Sequence, residues 1–588
     1  MYIQLDTDGL SSPLNRSFRG WIGPLRKPDY AAVLLPLALS SIWFIMALSV
    51  NPVGNFPLND DWVYAYDVKS LVEHGKFQFV GWEGMSLIVH ILWGSLFCLP
   101  FGFSFTALRL SNLTMGLVGI LAVYAFLREA KASRGASFFG AFILASNPLY
   151  FELSNTFMTD ISFFAISTLS FCFFIRGIRN ENPNYIVAGT VLCCMATLTR
   201  ELGLAIPLSF SIAYLIKNGF QKRPIFIAVL PPVLAGFALI AYQTLLKHTI
   251  GIPAHYYDHS MDLIQRISTG IPATVVFFGQ NFGATLAYLG LFILPLSILF
   301  IRGQWKSALS RNRLYALVAS LSIIIAVMSV LTWKNCFMPF LRNIWFVMGL
   351  GPVTLRDVYI LKLPHLYAGP KVLPSCITFL GLAGAAILAI NLLNSLSSLI
   401  SRPRGSGSVK ENWLTGLLLV ACVVYFIPIG IIGLYDRYLL FLLPEVMAIT
   451  VLAAHRPELP PGRFPVFVSA VLVLVYFTFA LGATHDYLSF NRARWDALHY
   501  LTEDVGISHE RIDGGFEFNG WYGYDPEYRP VRGADGVDKS WWWVKDDEFM
   551  ISLGPVDGYE EVGHYLYQRW IPCRVDDVFI LHRITGPK

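Results

Sequence analysis

Charged residues are scarce in this chain. Asp, Glu, Lys and Arg together make up 14% of its 588 residues, whereas soluble globular proteins carry about 25%. Hydrophobic residues make up 55% of the chain, and the mean hydropathy is +0.54. This composition excludes an ordinary soluble domain and predicts a protein that crosses a membrane several times.

Signatures of several common protein classes are also missing. No Walker A, GxGxxG or GxSxG motif occurs in a suitable context, which argues against an ATP-driven pump and a serine hydrolase. The eight cysteines show no CxxC or zinc-ribbon spacing. The net charge is +5, but the basic residues fall in short loops between apolar stretches, so we expect no nucleic-acid partner. No inverted internal repeat of the kind found in many transporters is evident.

Long apolar stretches recur along the chain, each of about 20 residues, as a helix needs to cross a bilayer about 30 Å thick. Backbone groups in lipid must be satisfied within the spanning segment, so the spans are expected to be helices. We predict an all-α polytopic fold with about thirteen transmembrane helices. They are expected at 31–50, 106–127, 136–151, 161–175, 184–199, 202–216, 225–246, 276–301, 314–332, 374–396, 413–434, 437–453 and 464–482.

One further apolar run, 86–100, is predicted to lie in the membrane interface or to re-enter it rather than to cross. With this assignment the basic loops, such as 128–134, fall on one side of the membrane. By the positive-inside rule that side is the cytoplasm. The first loop at 51–105 and the tail from 483 onward then lie on the outer face.

The domain organisation follows from where the apolar runs begin and stop. We predict a cytoplasmic N-terminal segment at 1–30, a transmembrane catalytic domain at 31–482 and a small extracytoplasmic α+β domain at 483–588. The run Trp541–Trp543 is interpreted as core or interfacial anchor of that last domain, with stacking on sugar rings as the alternative.

Local patterns predict the elements of the C-terminal domain. Arg492–Asp504 has the pattern of an amphipathic helix. Short strands are predicted at Asp513–Phe518, Glu548–Leu553 and Val578–His582, separated by glycine-containing turns.

Ionisable side chains gather at the predicted outer ends of the spans. Charges beside lipid are costly and usually mark a site or a water-filled cavity. The most informative are Asp60 and Asp61 in the sequence Asn59-Asp60-Asp61-Trp62, soon after the first span. The others are Glu83, Arg109, Asp160, Arg200, Glu201, His255, Asp258, His259, Asp436, Arg437 and Tyr438.

These residue types suit transfer of a group from a membrane-bound phosphate. A carboxylate can take the proton of an attacking hydroxyl or amine. A guanidinium can hold the leaving phosphate in a bidentate contact. The donor is expected to be lipid-linked, because nucleotide-activated substrates are made in the cytoplasm and this site faces outward.

The order of several motifs resembles the GT-C class of integral-membrane glycosyltransferases. Within that class it is similar to the protein O-mannosyltransferases and the lipid A aminoarabinose transferases, over about residues 30–455. The matching elements are Asn59-Asp60-Asp61-Trp62, a helix of the form Ser86–Gly102, Leu108-Arg109-Leu110, Phe157-Met158-Thr159-Asp160, Leu198-Thr199-Arg200-Glu201-Leu202-Gly203 and Tyr435-Asp436-Arg437-Tyr438-Leu439-Leu440.

The resemblance implies a polyprenyl-phosphate-linked sugar donor, an inverting transfer and a multi-pass protein of a bacterial cytoplasmic membrane. It also implies that Asp60 or Asp61 is the catalytic base or orients the acceptor, and that Arg109 and Arg437 lie near the donor phosphate. The chain departs from the family before the interfacial helix, where Glu83-Gly84-Met85 replaces a Pro-Pro or Lys-Pro-Pro element. A lysine contact to the donor phosphate is therefore unsupported, and the acceptor (a lipid, a glycan or a protein) stays open.

Each of these residues also has a structural interpretation. Asp60, Asp61 and Asp160 could be helix N-caps. Arg109 and Arg437 could be snorkelling side chains at span ends. As a set gathered on one face they favour a functional site.

The loop after the seventh span contains His255, Asp258 and His259, a set that could bind a divalent metal. A solvated loop explains the same residues, so a metal cofactor is a possibility rather than a requirement.

Two other functions fit the composition. A transporter or flippase of a lipid-linked saccharide should carry ionisable or broken-helix positions near the bilayer midplane, whereas here the charges sit at the outer ends. A glycan polymerase or ligase would keep the outer-face chemistry but use a longer lipid-linked donor.

Overall fold

The chain forms a predominantly helical bundle in a computed structural model. The structure describes residues 30–268, 270–301, 311–346, 349–366, 369–400, 412–454, 462–529 and 542–584. Residues 1–29 of the predicted N-terminal segment and Trp541 lie outside these ranges.

The helices follow the apolar stretches of the sequence. All thirteen predicted spans fall on helical segments, and eight helices of the described part are long and apolar enough to cross a membrane. The polytopic helical fold is therefore confirmed, whereas the count of about thirteen spans is not. The α-helices are Tyr30–Ser49, Asp61–His74, Ile88–Cys98, Phe105–Glu129, Arg134–Ala145, Pro148–Ser154, Thr159–Asn180, Pro183–Thr197, Ala205–Asn218, Lys222–Thr249, Asp258–Ser268, Ile271–Phe292, Leu294–Leu299, Arg311–Trp333, Arg356–Tyr359, Val372–Ile400, Trp413–Ile432, Leu443–Ala453, Arg463–His499 and Phe516–Gly523.

The apolar run at 86–100 forms the helix Ile88–Cys98, which has 11 residues. At 1.5 Å per residue it is about 16 Å long, too short to cross a hydrocarbon core of about 30 Å. This length agrees with the prediction that the run does not span the membrane.

Burial separates outer helices from a central one. Tyr30–Ser49 exposes Leu34, Phe44 and Ile45, as expected of a helix that faces lipid. Thr159–Asn180 is buried along most of its length. Its first turn contains Asp160, whose side chain is therefore buried in the interior of the bundle.

Glycines let two spans approach closely. An added Cβ at Gly290 would lie 2.2 Å from the backbone nitrogen of Ala385, and one at Gly384 would lie 2.2 Å from the carbonyl oxygen of Gly290. Small residues at such contacts are typical of membrane helix pairs. The contact fixes Ile271–Phe292 against Val372–Ile400.

A short hairpin in the bundle pairs β1 (Trp345–Phe346) with β2 (Gly349–Leu350). The C-terminal part contains a separate four-stranded sheet among its described residues. Its strands are β3 (Ile512–Asp513), β4 (Phe549–Ser552), β5 (Tyr559–Trp570) and β6 (Cys573–Arg583). They lie in the order β3-β4-β6-β5. β3 is parallel to β4, and the other neighbouring pairs are antiparallel.

The α+β character of this domain is confirmed, but two predicted elements differ. The strand predicted at Asp513–Phe518 ends at Asp513, because Gly515 adopts φ +91° and the chain then enters the helix Phe516–Gly523. The helix predicted at Arg492–Asp504 is the end of Arg463–His499, followed by a π-helical turn. The predicted domain boundary at 483 falls inside this continuous helix.

The sheet packs on that long helix. The carboxylate of Asp486 accepts hydrogen bonds from the backbone N–H groups of Trp570 at 2.6 Å and Ile571 at 3.0 Å. The ring of His485 stacks on Trp570 with 3.9 Å between centroids. The last membrane helix therefore carries the C-terminal sheet directly.

Candidate active site

The two acids of the first loop differ in their surroundings. Asp61 is buried, and its carboxylate accepts hydrogen bonds from the backbone N–H groups of Leu58 at 2.5 Å and Phe157 at 3.1 Å. Burial raises the pKa of Asp61 to about 8, although both N–H groups lower it. Asp61 thus joins the first loop to the turn that precedes Thr159.

Asp60 faces a cation instead. Its carboxylate is 26% exposed, and its Oδ2 lies 3.5 Å from Nη1 of Arg437. Burial raises the pKa of Asp60 and Arg437 lowers it. Among the described residues this carboxylate accepts no other hydrogen bond, so it is the freer of the two acids.

Arg437 lies in the 3-10 segment Asp436–Leu442 and is only 7% exposed in its side chain. Its guanidinium lies 5.4 Å from the ring centroid of Tyr435 and 5.7 Å from that of Tyr438. The negative charges of Asp160 and Asp60 favour its buried positive charge.

A second buried arginine, Arg200, also packs near the ring of Tyr438. Arg200 Nη2 lies 2.9 Å from Oδ2 of Asp160, and Arg200 Nε donates to Oγ1 of Thr159 at 2.8 Å. The Arg200 guanidinium lies 5.4 Å from the ring centroid of Tyr438. Arg200 and Arg437 therefore approach one ring, with an acid beside each.

A cavity of about 640 Å³ opens beside this cluster. Arg200, Glu201 and Tyr438 line its polar part, and Ile429 and Ile432 from the end of the helix Trp413–Ile432 line its apolar part. This combination fits a ligand with a polar head and an apolar chain.

One wall of this cavity is the amphipathic helix Asp258–Ser268. Leu263 and Arg266 line the cavity, whereas Met261, Ile264 and Ile267 are exposed. An exposed apolar stripe on a short polar helix is typical of helices that lie in a membrane interface. The helix therefore forms an edge between the cavity and the surface.

Two other predicted cavity acids, Asp436 and Glu201, are engaged in structural contacts. Asp436 accepts hydrogen bonds from the backbone N–H groups of Ile344 and Trp345. Glu201 accepts from the hydroxyls of Ser86 and Tyr256 at 2.5 and 2.8 Å while still lining the cavity.

Glu83 lies apart from the cavity lining. It is buried and accepts hydrogen bonds from the backbone N–H groups of Val80 and Gly81, each at 2.7 Å. Burial raises the pKa of Glu83, and these N–H groups lower it. The structure gives Glu83 a turn-forming contact within its own loop.

Arg109 is placed with the first loop rather than with Arg437. Its Nη1 donates to the carbonyl oxygens of Pro52 at 2.6 Å and Gly54 at 3.3 Å, and its Nη2 donates to that of Phe56 at 3.1 Å. These contacts hold the loop that leads to Asp60. A direct contact between Arg109 and a donor phosphate remains a prediction.

The predicted metal loop shows a pair of side chains. Nδ1 of His255 lies 2.6 Å from Oδ2 of Asp258, and both side chains are substantially exposed. The side chain of His259 is not among the described parts, and no cluster of three metal-ligating side chains occurs within those parts. Two donors are fewer than the four that zinc usually takes, so a metal here stays a prediction.

Sequence reasoning missed Glu517, which supports the loop before Asp60. Glu517 Oε1 accepts the backbone N–H of Asn59 at 3.0 Å, and its Oε2 accepts the hydroxyl of Thr354 at 2.5 Å. Nη2 of Arg494 lies 2.9 Å from the same Oε2. The only available signal was an acid within the apolar run Phe516-Glu517-Phe518.

Aromatic side chains join the C-terminal part to the first loop. The ring of Trp62 lies 6.0 Å from Phe516 and 5.7 Å from Trp543, measured between centroids. Trp542 and Trp543 are both buried. Core packing, rather than sugar stacking, is therefore the observed role of these two tryptophans.

Part of the chain matches a known protein family. Residues 88–247 match the family described as dolichyl-phosphate-mannose-protein mannosyltransferase. This range contains Asp160 and Arg200 but neither Asp60 nor Arg437. No curated protein sequence matches the chain.

Two solved structures are among those similar to this chain. ArnT from Cupriavidus metallidurans bound to undecaprenyl phosphate is 14% identical, with a TM-score of 0.43 over 96% of this chain and 100% of that one. The oligosaccharyltransferase of Archaeoglobus fulgidus in its apo form is 14% identical, with a TM-score of 0.42 over 79% of this chain and 58% of that one. The resemblance to GT-C membrane glycosyltransferases that the motifs predicted is confirmed over residues 88–247, where the chain matches a mannosyltransferase family.

Proposed function

We propose that this protein is an inverting glycosyltransferase that moves a sugar from a polyprenyl-phosphate-linked donor to an acceptor at the outer face of the membrane. The observation that carries the proposal is the partly exposed carboxylate of Asp60 beside buried Arg437, next to a cavity with polar and apolar walls. The match of residues 88–247 to a family that uses a dolichyl-phosphate sugar supports the donor class.

The cavity fits the two parts of such a donor. The isoprenoid chain lies along Ile429 and Ile432, and the phosphate lies at the end that contains Arg200. Arg437 reaches the same end because it packs against Tyr438, which lines the cavity. Two guanidinium groups near one phosphate stabilise the negative charge that develops on it as the sugar leaves.

Asp60 acts as the base in this proposal. The acceptor oxygen or nitrogen attacks the anomeric carbon, and its proton passes to a carboxylate oxygen of Asp60. The bond between the anomeric carbon and the phosphate oxygen breaks, and polyprenyl phosphate departs with the bonding electrons. Attack from the face opposite the phosphate inverts the configuration at that carbon.

Asp61 is less suited to this step. Its oxygens already accept two backbone hydrogen bonds, whereas the carboxylate of Asp60 is partly exposed. Asp160 is paired with Arg200 at 2.9 Å and serves to hold that arginine. The proposal therefore uses one base and two arginines, and Arg109 supports the loop.

A transfer assay tests the proposal. Purified full-length protein in neutral detergent receives radiolabelled polyprenyl-phosphate sugars and a crude acceptor extract. We expect Asp60→Asn to lower transfer by about 100-fold or more, the usual contribution of a general base. The matched control is Asp557→Asn, which removes an exposed carboxylate in a turn of the C-terminal sheet.

Two results would contradict the proposal. Full activity in a folded Asp60→Asn variant would remove Asp60 as the base. Donors that bind wild-type protein without any transfer, and that cross the membrane of vesicles containing the protein, would instead support a flippase.

A further inference from the structure

A second cavity has a volume of about 510 Å³. It is bounded by residues 342–366, by the helix Arg463–His499 and by the edge of the C-terminal sheet. None of the residues that line the first cavity lines this one. The proposed transfer reaction makes no use of it.

Two cations at its mouth lack acidic partners. Arg342 and Lys362 are exposed, and neither forms an ion pair with a described residue. Both adopt positive φ, 41° and 54°, a conformation that is uncommon for such side chains. Strained backbone of this kind is found preferentially at binding sites.

The other charged residues of the cavity already have partners. Arg569 lies 3.6 Å from Asp486 and 3.4 Å from Asp576. The Asp486 carboxylate also accepts two backbone N–H groups of the sheet. The charge that remains unpaired in the cavity is therefore positive.

Tyr487 contributes its ring to the wall of this cavity. The residue is 5% exposed, and its hydroxyl has no hydrogen-bond partner among the described residues. Its ring lies flat against Gly351, where an added Cβ would come within 2.4 Å of Tyr487 Cζ. Gly351 has φ +77°, so both its backbone and its neighbour require glycine.

Two cations without acidic partners at one cavity favour a ligand that carries an anionic group. The rest of the lining is apolar and aromatic, with Phe346, Leu350, Val353, Phe490, Leu553 and Tyr567. We propose that this cavity binds an anionic amphiphile, a single apolar chain that carries a phosphate or carboxylate group. The anionic group meets Arg342 and Lys362, and the apolar chain lies against the apolar and aromatic side chains of the lining.

The segment 342–366, which forms one wall of this cavity, has hydrogen bonds to the proposed active site at two points. At one end Asp436, the neighbour of Arg437, accepts the N–H groups of Ile344 and Trp345. At the other end Thr354 bonds Glu517, which also holds Asn59. A ligand that fills the cavity therefore contacts the segment that fixes both Arg437 and Asp60.

Native mass spectrometry of the full-length protein in neutral detergent tests this proposal, with monododecyl phosphate as the probe. The proposed donor cavity also has cations, so wild-type protein should bind two molecules of the probe. Arg342→Gln combined with Lys362→Gln should weaken one of the two by about tenfold or more, since charge-assisted contacts are lost. Lys131→Gln combined with Arg463→Gln, two exposed cations outside both cavities, should leave both intact.

Charge reversal separates binding from folding. Arg342 and Lys362 are exposed and form no ion pair with a described residue, so Arg342→Glu combined with Lys362→Glu should leave the thermal midpoint near that of wild type. The same variant should lose the same probe molecule, because two carboxylates then face its anionic group. Arg200→Gln should weaken binding of the other probe molecule, which occupies the proposed donor cavity. The two cavities can therefore be tested independently, and failure of one does not hide the result for the other.

Three outcomes would overturn the second site. They are retention of both probe molecules by the Arg342→Gln, Lys362→Gln variant, equal binding of inorganic phosphate without a chain, and equal binding of uncharged dodecanol.

Discussion

Nη1 of Arg437 and Oδ2 of Asp60 lie 3.5 Å apart, although the two residues are 377 positions apart in the chain. The first loop brings the acid, and the 3-10 segment after the helix Trp413–Ile432 brings the cation. In the proposed reaction the same guanidinium also attracts the leaving phosphate. Donor binding would thus loosen the hold of Arg437 on Asp60 just as the base is needed.

Replacement of this arginine should change the pH dependence of transfer. Burial raises the pKa of Asp60, and Arg437 lowers it. A base must be deprotonated to act, so kcat/KM should rise with pH through the pKa of Asp60. In Arg437→Gln the lowering influence is lost, and we expect the midpoint of this acid limb to move up by about one pH unit or more.

The measurement is kcat/KM from acidic to neutral pH for wild type and for Arg437→Gln. Arg176→Gln, which removes a partly exposed arginine paired with Glu129, is the control and should keep the wild-type midpoint. An unchanged or lower midpoint in Arg437→Gln would mean that this guanidinium does not act on the base.

The neighbouring acid should matter for folding rather than for chemistry. In wild type the two carboxylate oxygens of Asp61 accept hydrogen bonds from the backbone N–H groups of Leu58 and Phe157. Asp61→Asn keeps only one acceptor oxygen, so one of these N–H groups loses its partner. We expect a loss of about 1–3 kcal/mol in stability, seen as a lower thermal midpoint in detergent. Asp60→Asn should leave the thermal midpoint near that of wild type. If Asp60→Asn lowered the midpoint and Asp61→Asn did not, Asp60 would be the structural acid and Asp61 the candidate base.

The buried pair of Asp160 and Arg200 should behave as a unit. Both side chains are at most 5% exposed, with 2.9 Å between Nη2 and Oδ2. Asp160→Asn alone leaves a buried cation unpaired, so it should cost about 3–5 kcal/mol. The double variant Asp160→Asn, Arg200→Gln should lose less than the sum of the two single variants.

A double-mutant cycle of thermal midpoints measures this coupling. The exposed pair Lys545–Glu510 provides the matched control, since both of its side chains are more than half exposed. Lys545→Gln should give no detectable change. Strict additivity at Asp160 and Arg200 would show that the two residues do not depend on each other.

The contact between the helix Phe516–Gly523 and Trp62 should be sensitive to one methyl group added at Gly520. An added Cβ at Gly520 would lie 2.6 Å from ring atoms of buried Trp62. Gly520→Ala should therefore cost about 1–3 kcal/mol through overpacking. It should also lower transfer, because the helix Phe516–Gly523 carries Glu517, which holds Asn59.

Gly135→Ala is the control for this substitution. Gly135 lies in the first turn of the helix Arg134–Ala145, and an added Cβ there meets nothing within 4 Å. Alanine favours a helix over glycine, so stability and transfer should be retained. Wild-type transfer in Gly520→Ala would show that Phe516–Gly523 does not need its present position for activity.

The membrane class and the positions of the helices follow from local sequence. Transfer of backbone into lipid requires long apolar helices, so hydropathy alone placed each predicted span on a helical segment. The C-terminal sheet was harder to predict because its long strand Tyr559–Trp570 lies at the edge of the sheet and exposes residues such as Val562 and Leu566. Its hydrophobic alternation is therefore weak.

The composition of the candidate site was also foreseen, since acids and arginines at span ends are conspicuous in a chain with few charges. Sequence alone determined that the protein is a helical membrane protein and that Asp60, Asp61 and the arginines were candidates. Only the tertiary structure separated their surroundings. It turned Asp61 and Arg109 toward backbone groups, paired Asp160 with Arg200, and brought Glu517 from 458 positions away to support Asn59. Hydropathy is a property of neighbouring residues, whereas the partner of a buried charge depends on contacts between distant segments.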